Sequence, residues 1–232
     1  MEQAAELNEI KKELDSILFV IDAQGFYHRR QFYPRVISLV SDTCYHNFEI
    51  DTELSESDFR GDEKFSFKYV QKFIHGLDLR PIRLKFGFKC HTKETFKAYL
   101  EQLYNSLKTD KQYSVAVKNS QLKPYISSMN FPIIDLEDPK YKCPKLPFFD
   151  IYFGEKKYWF CGSHSSLPES KEKQVGYRCS LRKATYIWRW IQNTIKDYET
   201  KISTIHRGDS AEDGSKQIQL DSLSCRIGFE RV

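Results

Sequence analysis

One unbroken apolar run constrains the fold of this chain more than any other feature. Residues 17–21 read Ile-Leu-Phe-Val-Ile and are followed by Asp22. A short continuous run rich in β-branched residues is typical of a strand covered on both faces, because a half-exposed strand would alternate apolar and polar residues. We therefore predict a central β-strand that carries Asp22 at its tip and ends in a turn at Gly25.

Further strands and helices are predicted after this run. Strands at 32–40 and 45–50 follow across short connections, which favours an antiparallel meander. Helical and strand patterns then alternate, giving helices at 65–74, 92–107, 120–129 and 180–202 and strands at 113–117 and 132–136. This order predicts an α/β domain with a mixed sheet flanked by helices, in which the three-strand meander is joined to parallel strands.

The two ends of the chain differ from its middle. We predict a helical lead-in of one or two turns within residues 1–15, a domain over 16–204 and a polar tail over 205–232. The net charge is only +4, so nucleic-acid binding would need a local basic patch rather than bulk charge. The first apolar run is too short for a signal peptide or a membrane span, so we expect an intracellular protein, nuclear or cytoplasmic, without a membrane partner.

Six cysteines raise the question of a metal site. Two residues separate Cys161 from His164, so one loop presents a thiolate and an imidazole to a single ion, and Cys179 follows just before the last helix. Tetrahedral zinc takes four ligands of this kind, and Cys143 is the nearest upstream thiol for the fourth position. The alternative is a set of unrelated buried side chains.

Asp22 is the second candidate site. In polymer-cleaving α/β nucleases a carboxylate at a strand end holds a divalent ion, together with an acidic residue two positions later on the same face. Here that position is Gln24, and one carboxylate holds Mg²⁺ poorly. The alternative is an aspartate that caps the following turn. The sequence contains no phosphate-binding glycine loop and no nucleophile elbow, so nucleotide hydrolysis and serine hydrolysis are not expected.

Basic residues gather around the last helix, with aromatic residues between them. They are Lys171, Lys173, Arg178, Arg182, Lys183, Arg189 and Lys196, with Tyr158, Trp159, Tyr177 and Tyr186. Cations neutralise phosphates and exposed rings stack on unpaired bases, which suits single strands better than duplexes. The alternative is an ordinary solvated helix face whose aromatic residues lie in the core.

Several segments together resemble the Maelstrom domain, a member of the RNase H-like superfamily related to DEDDh exonucleases. The segments are Asp22-Ala23-Gln24-Gly25-Phe26, residues 34–40, His75-Gly76-Leu77, residues 115–119, and the Cys161, His164 and Cys179 set. The resemblance spans about residues 16–202. It implies an RNase H-like mixed sheet.

At the exonuclease motifs the resemblance implies a lost metal centre. Gln24 stands where the first-strand motif has a glutamate, and Lys123 and Lys183 stand where the two later motifs have carboxylates. An ammonium group in such a pocket repels Mg²⁺ rather than holding it. Two-metal exonuclease chemistry is therefore not expected.

Maelstrom domains carry a Glu-Cys-His-Cys zinc site, and the resemblance assigns its last three ligands to Cys161, His164 and Cys179. The family's glutamate corresponds to Val36, which leaves the fourth position to Cys143, to water or to no ligand at all. The resemblance also implies binding of single-stranded RNA, metal-independent RNA cleavage in some members, and silencing-complex partners in piRNA-directed transposon silencing.

We therefore predict a catalytically degenerate RNase H-like domain with a structural Cys/His zinc site. Its predicted contacts to single-stranded RNA are Lys118, Lys123, Arg178, Arg182 and Lys183. One alternative is a residual nuclease, either metal-independent or built on Asp22 with Asp135 or His75. The other alternative is a protein-interaction scaffold without nucleic-acid contact.

Overall fold

The computed structural model describes residues 2–81, 84, 90–107, 113–119, 121–145 and 179–206. Its strands are β1 (Ile17–His28), β2 (Gln31–Val40), β3 (Tyr45–Glu49), β4 (Ser114–Val117) and β5 (Ile133–Asp135). They form one five-stranded sheet in the order β3-β2-β1-β4-β5. The first three strands are antiparallel neighbours, whereas β4 and β5 run parallel to β1. The predicted α/β class and mixed sheet are confirmed.

The helices are α1 (Glu2–Asp15), α2 (Gly61–Tyr69), α3 (Lys93–Leu107), α4 (Lys123–Ser127) and α5 (Ser180–His206). A π-helical turn, Val70–His75, continues α2 and ends at Gly76, whose φ of 69° is the left-handed conformation common after helices. Short 3₁₀ turns lie at Glu56–Asp58 and Pro139–Tyr141. α1 is longer than predicted, and α5 continues into the predicted tail.

The two faces of the sheet carry separate parts of the core. On the first, the α5 face, Val20 and Val40 belong to one cluster with residues of α1 and α5. On the other, the α3 face, Phe19 and Ile21 cluster with Phe96 of α3 and with residues of α4. Alternate residues of a strand point to opposite faces. Asp22, which has the parity of Val20, therefore points to the α5 face.

β1 does not end where the sequence predicts. The strand continues to His28, and Gly25 lies at a shift of the β1–β2 register rather than in a turn. A Cβ atom on Gly25 would lie 2.0 Å from the backbone oxygen of Tyr33, so glycine is required there by the close approach of β2. Asp22 is accordingly in the middle of β1, and both the strand-tip position and the turn-capping alternative are wrong.

No helix within the described residues is both long enough and apolar enough to cross a membrane.

Candidate functional site

A polar centre lies inside the apolar core of the α5 face. Asp22 is 1% exposed, and its Oδ2 lies 3.7 Å from Nζ of Lys183 on α5. Burial raises the pKa of Asp22 to about 6, against the opposing effect of the Lys183 ammonium. The ion pair connects the central strand to the last helix.

A short hydrogen-bond chain lies beside this ion pair. β2 places Ser38 opposite Asp22, and Ser38 Oγ donates to Asn47 Oδ1 at 2.7 Å. Ser38 Oγ is also 2.8 Å from Oγ of Ser180, the first residue of α5. A hydroxyl has a single proton, so Ser180 is the donor of this second bond. The chain links β3, β2 and the first turn of α5, which holds Lys183 against the sheet.

Arg182 belongs to the interior of the protein. Arg182 is 1% exposed, and its Nε donates to the Tyr186 hydroxyl at 3.0 Å. Its guanidinium lies 5.2 Å from the centroid of the Tyr186 ring. A phosphate in solvent does not reach a side chain placed in this way. We therefore do not include Arg182 among the proposed RNA contacts.

The lysines of the predicted RNA-binding set do not form one patch. Nζ of Lys118, just after β4, donates to the backbone oxygen of Cys143 at 3.2 Å. Lys123 begins α4 on the α3 face and pairs with Asp135 Oδ2 at 3.0 Å. Lys183 is on the α5 face with Asp22. Each of these lysines thus has an internal contact, and Lys123, with half of its side chain exposed, is the most accessible.

Asp135 and Asp22 lie on opposite faces of the sheet. Ile134 belongs to the core of the α5 face, so its neighbour Asp135 points to the α3 face, where Lys123 pairs with it. A shared metal ion between these two carboxylates is not compatible with this fold. His75 ends the π-helical turn after α2, and its side chain is outside the described part of the structure.

Two members of the predicted zinc set are described. Cys143 and Cys179 both pack in the hydrophobic cluster of the α5 face. Burial raises the pKa of the Cys143 thiol to about 11, although the nearby Lys118 ammonium opposes this. Cys161, His164 and the predicted RNA contact Arg178 lie outside the described residues. Within residues that the structure describes, no group of three or more His, Cys, Asp or Glu side chains is placed to hold a metal ion.

The turn of the predicted β1–β2 hairpin lies at a position that the sequence did not reveal. The hairpin turns through Arg29 and Arg30, with φ of 49° and 64°. Glu63 of α2 anchors it, accepting a hydrogen bond from Arg29 N at 2.9 Å and lying 3.2 Å from Nδ1 of His28. Turns with two left-handed residues favour Asn and Gly, so a pair of arginines does not indicate such a turn in the sequence.

The fold and this site define an α/β protein in which a buried aspartate of the central strand pairs with a partly buried lysine of the last helix. Comparison of the chain with protein-family models and with curated proteins found no significant match. The relation to Maelstrom domains stays a resemblance.

Proposed function

We propose that this protein is an RNase H-like domain whose metal centre is replaced by an internal ion pair, and that it binds single-stranded RNA. The observation that carries the proposal is the 3.7 Å approach of the Lys183 ammonium to the buried Asp22 carboxylate. In a metal-dependent nuclease a divalent cation occupies the space beside such a carboxylate. Here the lysine side chain supplies the positive charge.

The surroundings of Asp22 oppose recruitment of Mg²⁺. This ion prefers six oxygen ligands and keeps several of its waters, because it dehydrates reluctantly. Asp22 is fully buried, and the residue two positions later on its face is the amide Gln24, also buried. An incoming divalent ion would also meet the Lys183 ammonium. The alternative of a metal-dependent nuclease is therefore the less favoured one.

The sheet supports the RNase H-like part of the proposal. The resemblance implies an antiparallel meander followed by parallel strands, and the observed order β3-β2-β1-β4-β5 is of this kind. The resemblance also aligns Lys183 with the last metal-binding carboxylate of the exonucleases. A residue at that position is expected beside the first-strand aspartate, and Lys183 lies there.

The proposal includes a structural zinc ion next to α5. Cys143 and Cys179 would supply two ligands, and Cys161 and His164 the other two, which would tie the segment before α5 to the sheet. The two described thiols share one cluster, and zinc would bind Cys143 as the thiolate, displacing a proton.

Metal analysis by mass spectrometry tests the zinc ion. We expect about one zinc per chain, and we expect Cys179→Ser to lose both the metal and thermal stability. Cys44→Ser is the matched control, because Cys44 is also a buried thiol but lies in the α3-face core. Zinc far below one equivalent in the wild type would remove the ion from the proposal.

RNA binding is tested by fluorescence anisotropy with a labelled single-stranded RNA of about 12 nucleotides and a duplex of the same length. We expect preference for the single strand and an affinity that falls steeply with salt, with a slope of about −0.7 per phosphate contact. A folded protein that binds neither RNA at low salt would overturn the proposal and favour the scaffold alternative. RNA binding of this kind would fit a role in transposon silencing, in nucleus or cytoplasm.

A further inference from the structure

A groove of about 430 Å³ opens on the α3 face, between the β1–β2 hairpin and the starts of α3 and α4. Tyr27, Arg30 and Phe32 line it from the hairpin, Lys93 from α3 and Tyr125 from α4. Its volume lies in the range of sites that hold small organic molecules, about 300–1,000 Å³. The groove is large enough for one nucleotide.

The described lining side chains of this groove carry only positive charge. The nearest carboxylate shown is Glu94, and burial together with this carboxylate raises the pKa of the lining residue Tyr125. None of the groove's nine described lining residues is Asp or Glu, whereas Arg30 and Lys93 are cations on exposed residues. Lys93 is also the first residue of α3, so the positive end of a 15-residue helix lies at the same place. The groove is therefore suited to an anion.

Aromatic rings lie beside these cations. Tyr27 is 45% exposed, and its ring centroid is 5.5 Å from that of Phe32. Nζ of Lys93 lies 5.7 Å from the centroid of the Tyr125 ring. Exposed rings next to Arg and Lys are the combination with which proteins hold the unstacked bases and phosphates of single strands.

Two local features of the groove are unfavourable for the folded protein alone. Arg30 is held with a left-handed φ of 64°. Tyr125 is only 7% exposed, and its hydroxyl has no hydrogen-bond partner within the described residues. A buried hydroxyl without a partner is destabilising.

A second, larger groove of about 1290 Å³ between α1 and the edge of β5 does not have this character. Its described lining contains five acidic residues and three lysines. Glu13, moreover, pairs with Lys140 at 2.8 Å and accepts a hydrogen bond from the Tyr141 hydroxyl. The acidic residues outnumber the lysines by two, so this groove has no surplus of positive charge for an anionic ligand.

We propose that the 430 Å³ groove holds one nucleotide of a single nucleic-acid strand. The base would stack on the exposed ring of Tyr27, and the phosphates would pair with Arg30 and Lys93. The identification of the strand as RNA rests on the proposed function. The contact surface inferred here lies on the face of the sheet opposite to α5. Because stacking and phosphate contacts are common to RNA and DNA, both strands are tested.

The test measures anisotropy with single-stranded RNA and DNA of about 12 nucleotides and compares matched variants. Arg30→Gln with Lys93→Gln removes two charges from the groove. Arg29→Gln with Lys12→Gln removes two exposed charges elsewhere, one of them at the neighbouring turn position. Tyr27→Ala is matched by Tyr45→Ala, since Tyr45 is 54% exposed on β3. Circular dichroism and thermal melting establish that each variant is folded.

We expect Tyr27→Ala to weaken RNA binding about 5- to 150-fold. We expect the groove double variant to reduce the salt slope by about 1.4, with both controls close to wild type. Equal loss in groove and control variants, or no loss in either, would overturn the groove assignment while leaving RNA binding itself intact. No binding by the wild type would overturn both proposals. Binding of DNA but not RNA would keep the groove and overturn the RNA function.

Discussion

Replacing Asp22 by Asn tests the buried ion pair, because it keeps the shape of the side chain and removes its charge. Burial raises the pKa of Asp22 from 3.8 to about 6, so the folded protein holds this proton more tightly than the unfolded chain does. Stability associated with this carboxyl is therefore present at low pH and is lost as the pH rises from 3.8 to about 6. This difference between the two pKa values corresponds to about 3 kcal/mol in the free energy of unfolding.

We expect Asp22→Asn to raise the free energy of unfolding by up to about 3 kcal/mol at pH 7 and to change it little near pH 4. Urea denaturation followed by tryptophan fluorescence measures this, since Trp188 and Trp190 lie on α5. Between pH 4 and about pH 6 the difference in the free energy of unfolding between variant and wild type should grow by about 1.4 kcal/mol per pH unit, and above about pH 6 it should level off. Glu9→Gln, which neutralises an exposed carboxylate on α1, is the control.

Two outcomes of this experiment are incompatible with a raised pKa of Asp22. If Asp22→Asn were less stable than the wild type at pH 7, Lys183 would stabilise the ionised carboxylate more than burial destabilises it. A difference between variant and wild type that does not change between pH 4 and pH 7 would show that Asp22 does not titrate in this range.

Three further substitutions test the contacts of Lys183, Gly25 and Arg30. Lys183→Met leaves the Asp22 carboxylate buried without its cation. We expect urea denaturation to show a free energy of unfolding that is lower by about 2 kcal/mol or more at pH 7, and by less at pH 5. Lys196→Met, on the exposed side of α5, is the control and should have little effect. An equal loss in both variants would contradict the pairing. Gly25→Ala places a Cβ 2.0 Å from Tyr33 O, so we expect a loss of about 3 kcal/mol or more in thermal or urea unfolding; a neutral result would exclude the close approach of β2. Arg30→Gly removes the side chain from a residue with left-handed backbone, so we expect the free energy of unfolding to rise by up to about 1 kcal/mol. We also expect RNA affinity to fall. An unchanged affinity would show that Arg30 does not contribute to RNA binding in the groove.

The fold class followed from local patterns in the sequence. The run at residues 17–21 lies in the central strand, and the short connections after it produced the antiparallel neighbours β2 and β3. The apolar stripe of the last helix likewise matched α5, which packs on the sheet and on α1. These features depend on residues close together in the chain, which is why periodicity predicted them.

The site depended on contacts between distant residues. Gly25 looked like a turn residue, but its role comes from the backbone of β2 across the sheet. Lys123 and Lys183 looked equivalent in a motif alignment, yet the register of β4 and β5 places the partner of Lys123 on the α3 face. Arg182 looked like a surface cation, but the packing of α5 in the fold buries it together with its neighbour Tyr186. None of these outcomes has a local sequence signal.

We infer that an internal ion pair, rather than a metal ion, completes the Asp22 site. The most direct measurement incubates end-labelled single-stranded RNA with the wild type in Mg²⁺, in Mn²⁺ and in EDTA, and resolves the products on a denaturing gel. We expect intact RNA under all three conditions, from protein that binds the same RNA in a mobility shift. Cleavage that requires Mg²⁺ or Mn²⁺, stops in EDTA and is lost in Asp22→Asn would show that a metal ion acts at Asp22 and would exclude the ion-pair assignment.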